Sequence, residues 1–191
     1  MSPVYVVLGV VLLLVALVMV SYNRFIRDSQ LIDNSWSNVD TELRRRYDLI
    51  PNLVETVAGY ATHERGTFEA VTRARAQAMR SEGNAASQSS DENVLVGALR
   101  SLLAVTEAYP ELLASHRFAE LQDELVVTEN RIQAARRIFN GNVRDYNTRV
   151  ESIPSNLVAR LCGFTTRTYF EVEAAVREAG APTVRIGHTR S

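Results

Sequence analysis

An uninterrupted apolar run near the N-terminus constrains this chain more than any other feature. Residues 4–20 read VYVVLGVVLLLVALVMV, and the first charged side chain is Arg24. At about 1.5 Å per residue, a helix over residues 3–22 would span roughly 30 Å, the thickness of a bilayer's hydrocarbon core. We therefore predict a transmembrane anchor over residues 1–23, which contacts the lipid bilayer through residues 4–22.

A cleaved signal peptide is the alternative interpretation of the same run. Such a peptide has basic residues before a shorter apolar stretch and small residues at its cleavage site. Here no basic side chain precedes the run, and no Ala-x-Ala sequence follows it. Tyr5 and Tyr22 fall near the two expected interfaces, where amphipathic rings are favoured. The pattern favours a retained anchor.

The flanking charges predict the orientation of the anchor. Arg24 and Arg27 follow the span, and no basic side chain precedes it. The positive-inside rule then predicts a single-pass protein of the cell membrane, with its N-terminus outside and its C-terminal domain in the cytoplasm. The Arg44–Arg46 triplet adds nothing, because in a straight helix it would stand about 33 Å beyond the membrane, well past a Debye length of about 8 Å. We interpret this triplet as a solvated helix face.

Beyond the anchor, apolar residues recur at the steps of three, four and seven that are typical of amphipathic helices. The first helix is expected to continue from the membrane and to end near Pro51, because the residue before a proline disfavours helical geometry. The second helix then runs to about Ala78, and the segment Arg80–Ser90, without a large apolar side chain, is expected to be a loop. A third helix is expected to begin near Ser90 or Asp91 and to end between about Glu107 and Pro110.

The fourth helix carries the most regular pattern in the chain. Six apolar or aromatic residues are spaced by seven: Phe118, Leu125, Ile132, Phe139, Tyr146 and Ile153. Pro154 is expected to end this helix, and a short helix over residues 155–161 should stop at Gly163. Beyond Gly180 the chain is expected to be loose.

These segments predict an all-α fold. A single N-terminal transmembrane helix would continue into an antiparallel four-helix bundle of long helices, which occupies residues 24–165. Residues 166–191 would form a partly disordered C-terminal tail. An extended hairpin of long helices that oligomerises is the alternative architecture.

The chain offers no pattern for a catalytic, cofactor or metal site. A di-carboxylate metal bundle needs Glu-x-x-His, but Tyr60 stands three residues before His63, and Thr67 occupies the second position of a His-Glu-x-x-His zinc signature. The lone Cys162 is interpreted as a small apolar packing residue. The absence of lysine excludes a P-loop, and the net charge of -1 argues against a nucleic-acid partner.

Polar residues near the apolar seams remain to be explained. Glu55, Glu107 and Glu129 are expected to be partly buried partners of arginines. A set of six polar side chains follows one flank of the fourth helix: Glu129, Asn130, Arg136, Asn140, Tyr146 and Asn147. Buried amides and carboxylates must be hydrogen-bonded, so this set predicts either a matched internal network or contact with a partner.

Three long stretches resemble the LemA family: RRRYDLIPNLVETVAGYATHE (residues 44–64), LLAVTEAYPELLASHRFAELQDEL (102–125) and TENRIQAARRIFNGNVRDYNTRVESIPSNLVA (128–159). The N-terminal span followed by Trp36, Val39 and Asp40 is similar as well. The resemblance covers about residues 4–170 and implies a helical bundle on one membrane anchor, in a family without a settled biochemical activity. Phe139 departs from it, since the family pattern usually has tyrosine there.

The sequence thus predicts a membrane-anchored helical-bundle protein that acts without catalysis as an interaction or scaffold module at the bacterial inner membrane. Its expected partners, besides lipid, are an unidentified membrane or cytoplasmic protein and a second copy of the chain. Two alternatives remain open. One is a membrane-remodelling or assembly protein, and the other is an enzyme or metalloprotein with an unrecognised site in the bundle.

Overall fold

The computed structural model describes residues 3–81 and 85–172. Six helices form in this part of the chain: α1 (Pro3–Ala58), α2 (Arg65–Arg80), α3 (Ala85–Thr106), α4 (Pro110–Leu113), α5 (His116–Glu151) and α6 (Ser155–Cys162). No strand occurs among the described residues, and the all-α prediction is confirmed. The antiparallel four-helix bundle and the predicted domain bounds stay predictions. The prediction of a loose tail concerns residues beyond Gly180, which lie outside the described residues.

The first helix continues through Pro51, so the predicted end at this proline is wrong. α1 runs for 56 residues with Pro51 inside it. A proline removes the N–H that would bond the carbonyl four residues earlier, here the carbonyl of Tyr47. Arg75 of α2 donates a hydrogen bond of 2.6 Å from Nε to that carbonyl oxygen. A tertiary contact therefore replaces the missing helical bond, and the helix ends only at Ala58.

The chain divides into two compact units, and α1 and α5 each contribute to both. Unit 1 comprises residues 1–41 and 134–170, and unit 2 comprises residues 42–133 and 171–191. The described core of unit 1 combines aromatic and aliphatic side chains and includes Phe25, Ile32, Val39, Phe139, Val143, Tyr146 and Phe170. The described core of unit 2 is mostly aliphatic and includes Leu43, Ile50, Leu53, Val57, Leu95, Leu102, Leu125 and Ile132.

The second helix begins at Arg65 and not directly after Pro51, and the remaining helix bounds need two further corrections. α3 begins at Ala85, not at Ser90 or Asp91, because polar side chains take core positions in its first turns, with Gln88 buried. Five of the six residues spaced by seven along the fourth helix are buried, whereas Ile153 is 84% exposed and lies beyond the end of α5. α6 ends as predicted at Gly163, which adopts a left-handed φ of 76°.

Candidate functional sites

A cluster of charged side chains lies inside unit 2. Arg46 of α1 is 2% exposed, Glu92 of α3 is fully buried and Glu129 of α5 is 5% exposed. The Arg46 guanidinium donates one hydrogen bond to Glu92 and another of 3.1 Å from Nη1 to Oε2 of Glu129. Arg44 and Arg45 are exposed. The prediction of a solvated face is therefore wrong for Arg46, which bridges two buried carboxylates.

Neutral donors complete this charge cluster. The Tyr47 hydroxyl donates to Oε1 of Glu92, and the Gln88 amide donates to the same oxygen at 3.0 Å. Gln133 donates from Nε2 to Oε1 of Glu129 at 3.2 Å. All four oxygens of the two carboxylates thus accept a hydrogen bond. These hydrogen bonds offset the free-energy cost of burying the two carboxylates.

Two asparagines of α5 bind the backbone of residues 167–170, a chain segment of unit 1. Asn140 donates to the carbonyl of Phe170 and accepts from its N–H, both at 2.9 Å. Asn147 donates to the carbonyl of Arg167 at 2.9 Å and accepts from its N–H at 2.7 Å. Seven helical residues rise about 10.5 Å, and three extended residues cover about 10 Å, so the two spacings match. Each side-chain amide thus pairs with a backbone N–H and carbonyl, as the backbone of a neighbouring strand would in a sheet.

Aromatic rings surround this segment in unit 1. Trp36 contacts the rings of Phe139 and Phe170, with centroids 5.2 and 5.3 Å apart. Tyr146 is buried and meets Phe25 edge-on at 5.9 Å. Burial raises the pKa of the Tyr146 hydroxyl, and the charge of Asp28 also raises it, whereas the charge of Arg167 and a hydrogen bond to that residue act in the opposite direction. The segment is held by ring packing as well as by amides.

The six polar residues on the flank of α5 are divided between the two units. Glu129 belongs to the charge cluster of unit 2, and Asn130 is exposed. Asn140, Tyr146 and Asn147 belong to unit 1, with the contacts given above, and Arg136, also in unit 1, is half-buried. Contact of this set with a partner protein stays a prediction.

Three further expectations about single residues are wrong. Glu55 and Glu107 are exposed, not partly buried, although Glu129 is paired with an arginine as expected. Cys162 is exposed instead of packing as a small apolar side chain. The reason for Cys162 is its place in the last turn of the short helix α6, directly before the left-handed turn at Gly163.

Sequence reasoning missed Arg46, Glu92 and Gln88 as members of a buried cluster. The signal was nevertheless present in the spacing. Arg46 follows Leu43 by three residues and precedes Ile50 by four, so it occupies a seam position of α1. The same steps place polar residues on the seam of α3, in the series Ala85, Gln88, Glu92, Leu95, Leu99 and Leu102. Charged residues on two seams at once predict a buried ion pair.

An open cleft of about 480 Å³ in unit 2 is lined by Asn52, Arg117, Glu120, Leu121, Asp123 and Glu124. Among residues 3–81 and 85–172, no group of three or more histidine, cysteine, aspartate or glutamate side chains is placed to hold a metal ion.

The N-terminal part of α1 is the one described helix that is long and apolar enough to cross a membrane. Its most apolar 18-residue window has a mean hydropathy of 3.0, and no residue of that window is buried. The large apolar side chains between Val4 and Val20 are 38–68% exposed. The predicted transmembrane helix is thus a candidate on both length and composition.

Comparison with known proteins places this architecture in a family. The family model for the LemA family matches residues 35–185. Magnetosome protein MamQ 2 of Paramagnetospirillum magneticum is 27% identical over 194 aligned positions, which cover 88% of this chain and 71% of the relative. Magnetosome protein MamQ of Magnetospirillum gryphiswaldense is 26% identical, with coverages of 91% and 75%. Protein LemA of Metamycoplasma hominis is 23% identical, with coverages of 72% and 63%. The chain belongs to the LemA family.

Proposed function

We propose that this protein is a single-pass, membrane-anchored scaffold of the bacterial inner membrane, which presents a helical domain to partner proteins without catalysing a reaction. The observation that carries the proposal is the continuity of α1. One helix bears an unburied apolar run at residues 4–20 and then, without a break, the buried residues Phe25, Ile32 and Val39. Anchor and folded domain are therefore rigidly joined.

The exposed apolar run needs an apolar environment. Soluble proteins rarely expose a contiguous apolar patch of more than a few hundred Å², because burying apolar surface is worth about 25 cal/mol per Å². Every side chain of the run is exposed in the isolated chain, on all faces of the helix. A helix satisfies its own backbone hydrogen bonds, so it crosses a bilayer without further partners. Lipid is the environment that suits this surface.

The charge cluster supports a structural role for the buried carboxylates over a catalytic one. A general acid or base must exchange a proton with a substrate within hydrogen-bond reach. The oxygens of Glu92 and Glu129 are instead occupied by Arg46, Tyr47, Gln88 and Gln133. Elemental analysis of the purified full-length chain tests the alternative: a stoichiometric transition metal would contradict a purely structural scaffold.

Tethering gives a scaffold its effect, because it confines the domain to the membrane and raises its effective concentration toward partners there. The test is crosslinking in native membranes followed by mass spectrometry. Three chains are compared: the full-length protein, a truncated chain that begins at Ser21 and so keeps the buried Phe25, and a chain in which an unrelated span replaces residues 1–20. We expect the first and third to crosslink the same partners, and the truncated chain to lose them although it folds. Recovery of the same partners by the truncated chain would contradict the proposal.

We further propose that the helical domain lies in the cytoplasm. Arg24 and Arg27 follow the apolar run, and both side chains are exposed. Cytoplasmic loops next to a span carry an excess of arginine and lysine. Protease added to intact spheroplasts should leave the domain whole and digest it after permeabilisation. Digestion before permeabilisation would establish the opposite orientation.

A further inference from the structure

The short helix α6 exposes an apolar stripe that nothing in unit 1 covers. Leu157 and Leu161 are one helical turn apart on α6 and are 64% and 78% exposed, and Ile153, in the turn that precedes α6, is 84% exposed. These three side chains form the stripe. On the other side of α6, Val158 and Ala159 are 8% and 1% exposed and belong to the core. The buried side of α6 therefore carries the smaller apolar residues, and its exposed side carries the large aliphatic ones.

The chain that follows α6 lies against the end of the predicted span. After Gly163, the ring of Phe164 stacks on Phe25 with centroids 4.7 Å apart and meets Tyr22 at 5.6 Å. Tyr22 stands two residues after Val20, the last residue of the apolar run. Tyrosine at this position marks the boundary between acyl chains and water. The C-terminal end of α6 is thus placed beside this boundary.

The helix that precedes α6 approaches the same level. α5 runs antiparallel to α1 in unit 1, since Trp36 contacts Phe139 whereas Phe25 contacts Tyr146 farther along α5. From Tyr146, five further residues of α5 rise about 7.5 Å toward the N-terminal end of α1. This distance carries the end of α5 at Glu151 to about the level of Tyr22. Both ends of α6 are therefore near the expected membrane surface.

We propose that α6 is an interfacial helix, which lies on the bilayer that α1 spans and inserts Ile153, Leu157 and Leu161 among the lipids. The inference rests on the proposed membrane anchor and deepens it. Interfacial amphipathic helices bury their apolar face about 5–10 Å into the boundary between headgroups and acyl chains. Arg160 flanks the stripe and is exposed, so its guanidinium reaches the headgroups while its stem stays apolar. A second contact with lipid would fix the tilt of the domain on its anchor.

The single cysteine of the chain permits a direct test in the full-length protein. The protein is reconstituted in phosphatidylcholine vesicles with a minor share of phosphatidylglycerol, and an environment-sensitive fluorophore is attached to the exposed Cys162. In a Cys162→Ser background the label is moved to three positions by Leu161→Cys, Ile138→Cys and Leu12→Cys. Leu161 and Cys162 are adjacent but point about 100° apart around the helix. Ile138 is the matched control, because it is 60% exposed on α5, one residue from the Phe139 that contacts Trp36.

Brominated acyl chains then report the depth of each label. We expect strong quenching at position 12, clear quenching with a blue-shifted emission at position 161, weaker quenching at Cys162 and none at position 138. Equal absence of quenching at positions 161 and 138, with position 12 quenched, would overturn the interfacial helix and leave the anchor standing. A label at position 12 that is not quenched would overturn the proposed function and this inference with it. The helical circular dichroism of each labelled chain controls for folding.

Discussion

Polar groups are buried in both units, but their chemistry differs. In unit 2, Arg46 bridges the carboxylates of Glu92 and Glu129. In unit 1, Asn140 and Asn147 bind the backbone of an extended segment through neutral amides. α5 supplies residues to both arrangements, with Glu129 in its first half and the asparagines in its second. The same helix thus contributes a carboxylate to the charge cluster of unit 2 and amides that bind the segment 167–170 in unit 1.

The difference predicts unequal sensitivity to substitution. Removal of one member of a buried ion pair leaves a charge without compensation, which costs more than the pair itself contributes. Removal of a half-exposed amide leaves a backbone N–H and carbonyl that water can reach in part. Stability means the free energy of unfolding in mild detergent, followed by helical circular dichroism.

Arg46→Met is expected to lower the stability by about 3–5 kcal/mol, because two carboxylates would remain buried without their cation. Arg45→Met is the matched control: Arg45 is the preceding residue and is exposed, so its loss should change the stability by less than about 0.5 kcal/mol. Equal effects of the two variants would remove the distinction between a buried and a solvated arginine.

Simultaneous replacement of the three charges sharpens the same point. In Arg46→Met with Glu92→Leu and Glu129→Leu, no buried charge is left unpaired, so the triple variant should be more stable than Arg46→Met alone. Tyr47 and Gln133 lose their carboxylate acceptors, which keeps the recovery short of the wild-type value. A triple variant as unstable as Arg46→Met alone would show that the charges stabilise the fold beyond compensating one another.

Ile132→Ala is expected to cost about 2–5 kcal/mol, since Ile132 is 1% exposed and its loss leaves a cavity. Ile138→Ala is the control on the same helix, because Ile138 is 60% exposed. Its stability should stay within about 0.5 kcal/mol of the wild type. If both changes had the same effect, the apolar seam of α5 would not be the core.

Asn147→Ala should cost about 0.5–1.5 kcal/mol, because the N–H and carbonyl of Arg167 lose their partner but can bind water instead. The loss should be local: hydrogen exchange at the amides of residues 167–170 accelerates, whereas α3 keeps its protection. Asn130→Ala, an exposed position on the same helix, is the control. Unchanged exchange in Asn147→Ala would show that ring packing alone holds the segment.

The smallest effect concerns Tyr146. Its pKa is raised above the ordinary value of 10.0 in the folded protein, mainly by burial. As the pH rises above about 10, the tyrosine of the unfolded chain therefore ionises first, and the stability that the neutral hydroxyl contributes is lost toward the higher folded pKa. Tyr146→Phe should show a shallower fall of stability over this alkaline range. An identical slope in both proteins would contradict a buried, neutral hydroxyl.

The fold was predictable where apolar spacing alone decides it. The heptad from Phe118 to Tyr146 gave α5 to within a few residues, because a continuous seam leaves no other way to bury those side chains. Pro51 predicts a helix end that does not occur, since the hydrogen bond that replaces the missing one comes from Arg75, which is distant in sequence. Tertiary contacts of this kind are not encoded in local propensity.

The polar sites were predictable only in part. Glu129 and the two asparagines were singled out by their place beside the seam, but their partners were not. The partners of Asn140 and Asn147 are backbone atoms, which carry no side-chain signature in the sequence. Arg46 was read with its exposed neighbours, although its seam position distinguishes it from Arg44 and Arg45. A charged residue is best judged by the face of the helix that it occupies.

We propose that α1 is both the membrane anchor and part of the folded core. The most direct measurement combines alkaline carbonate extraction of membranes with intact-mass analysis of the protein that stays in the pellet. We expect the chain to remain with the membranes and its mass to include residues 1–23, since a retained span of about 20 apolar residues resists extraction. Release into the supernatant, or a mature chain that begins after Val20, would contradict it.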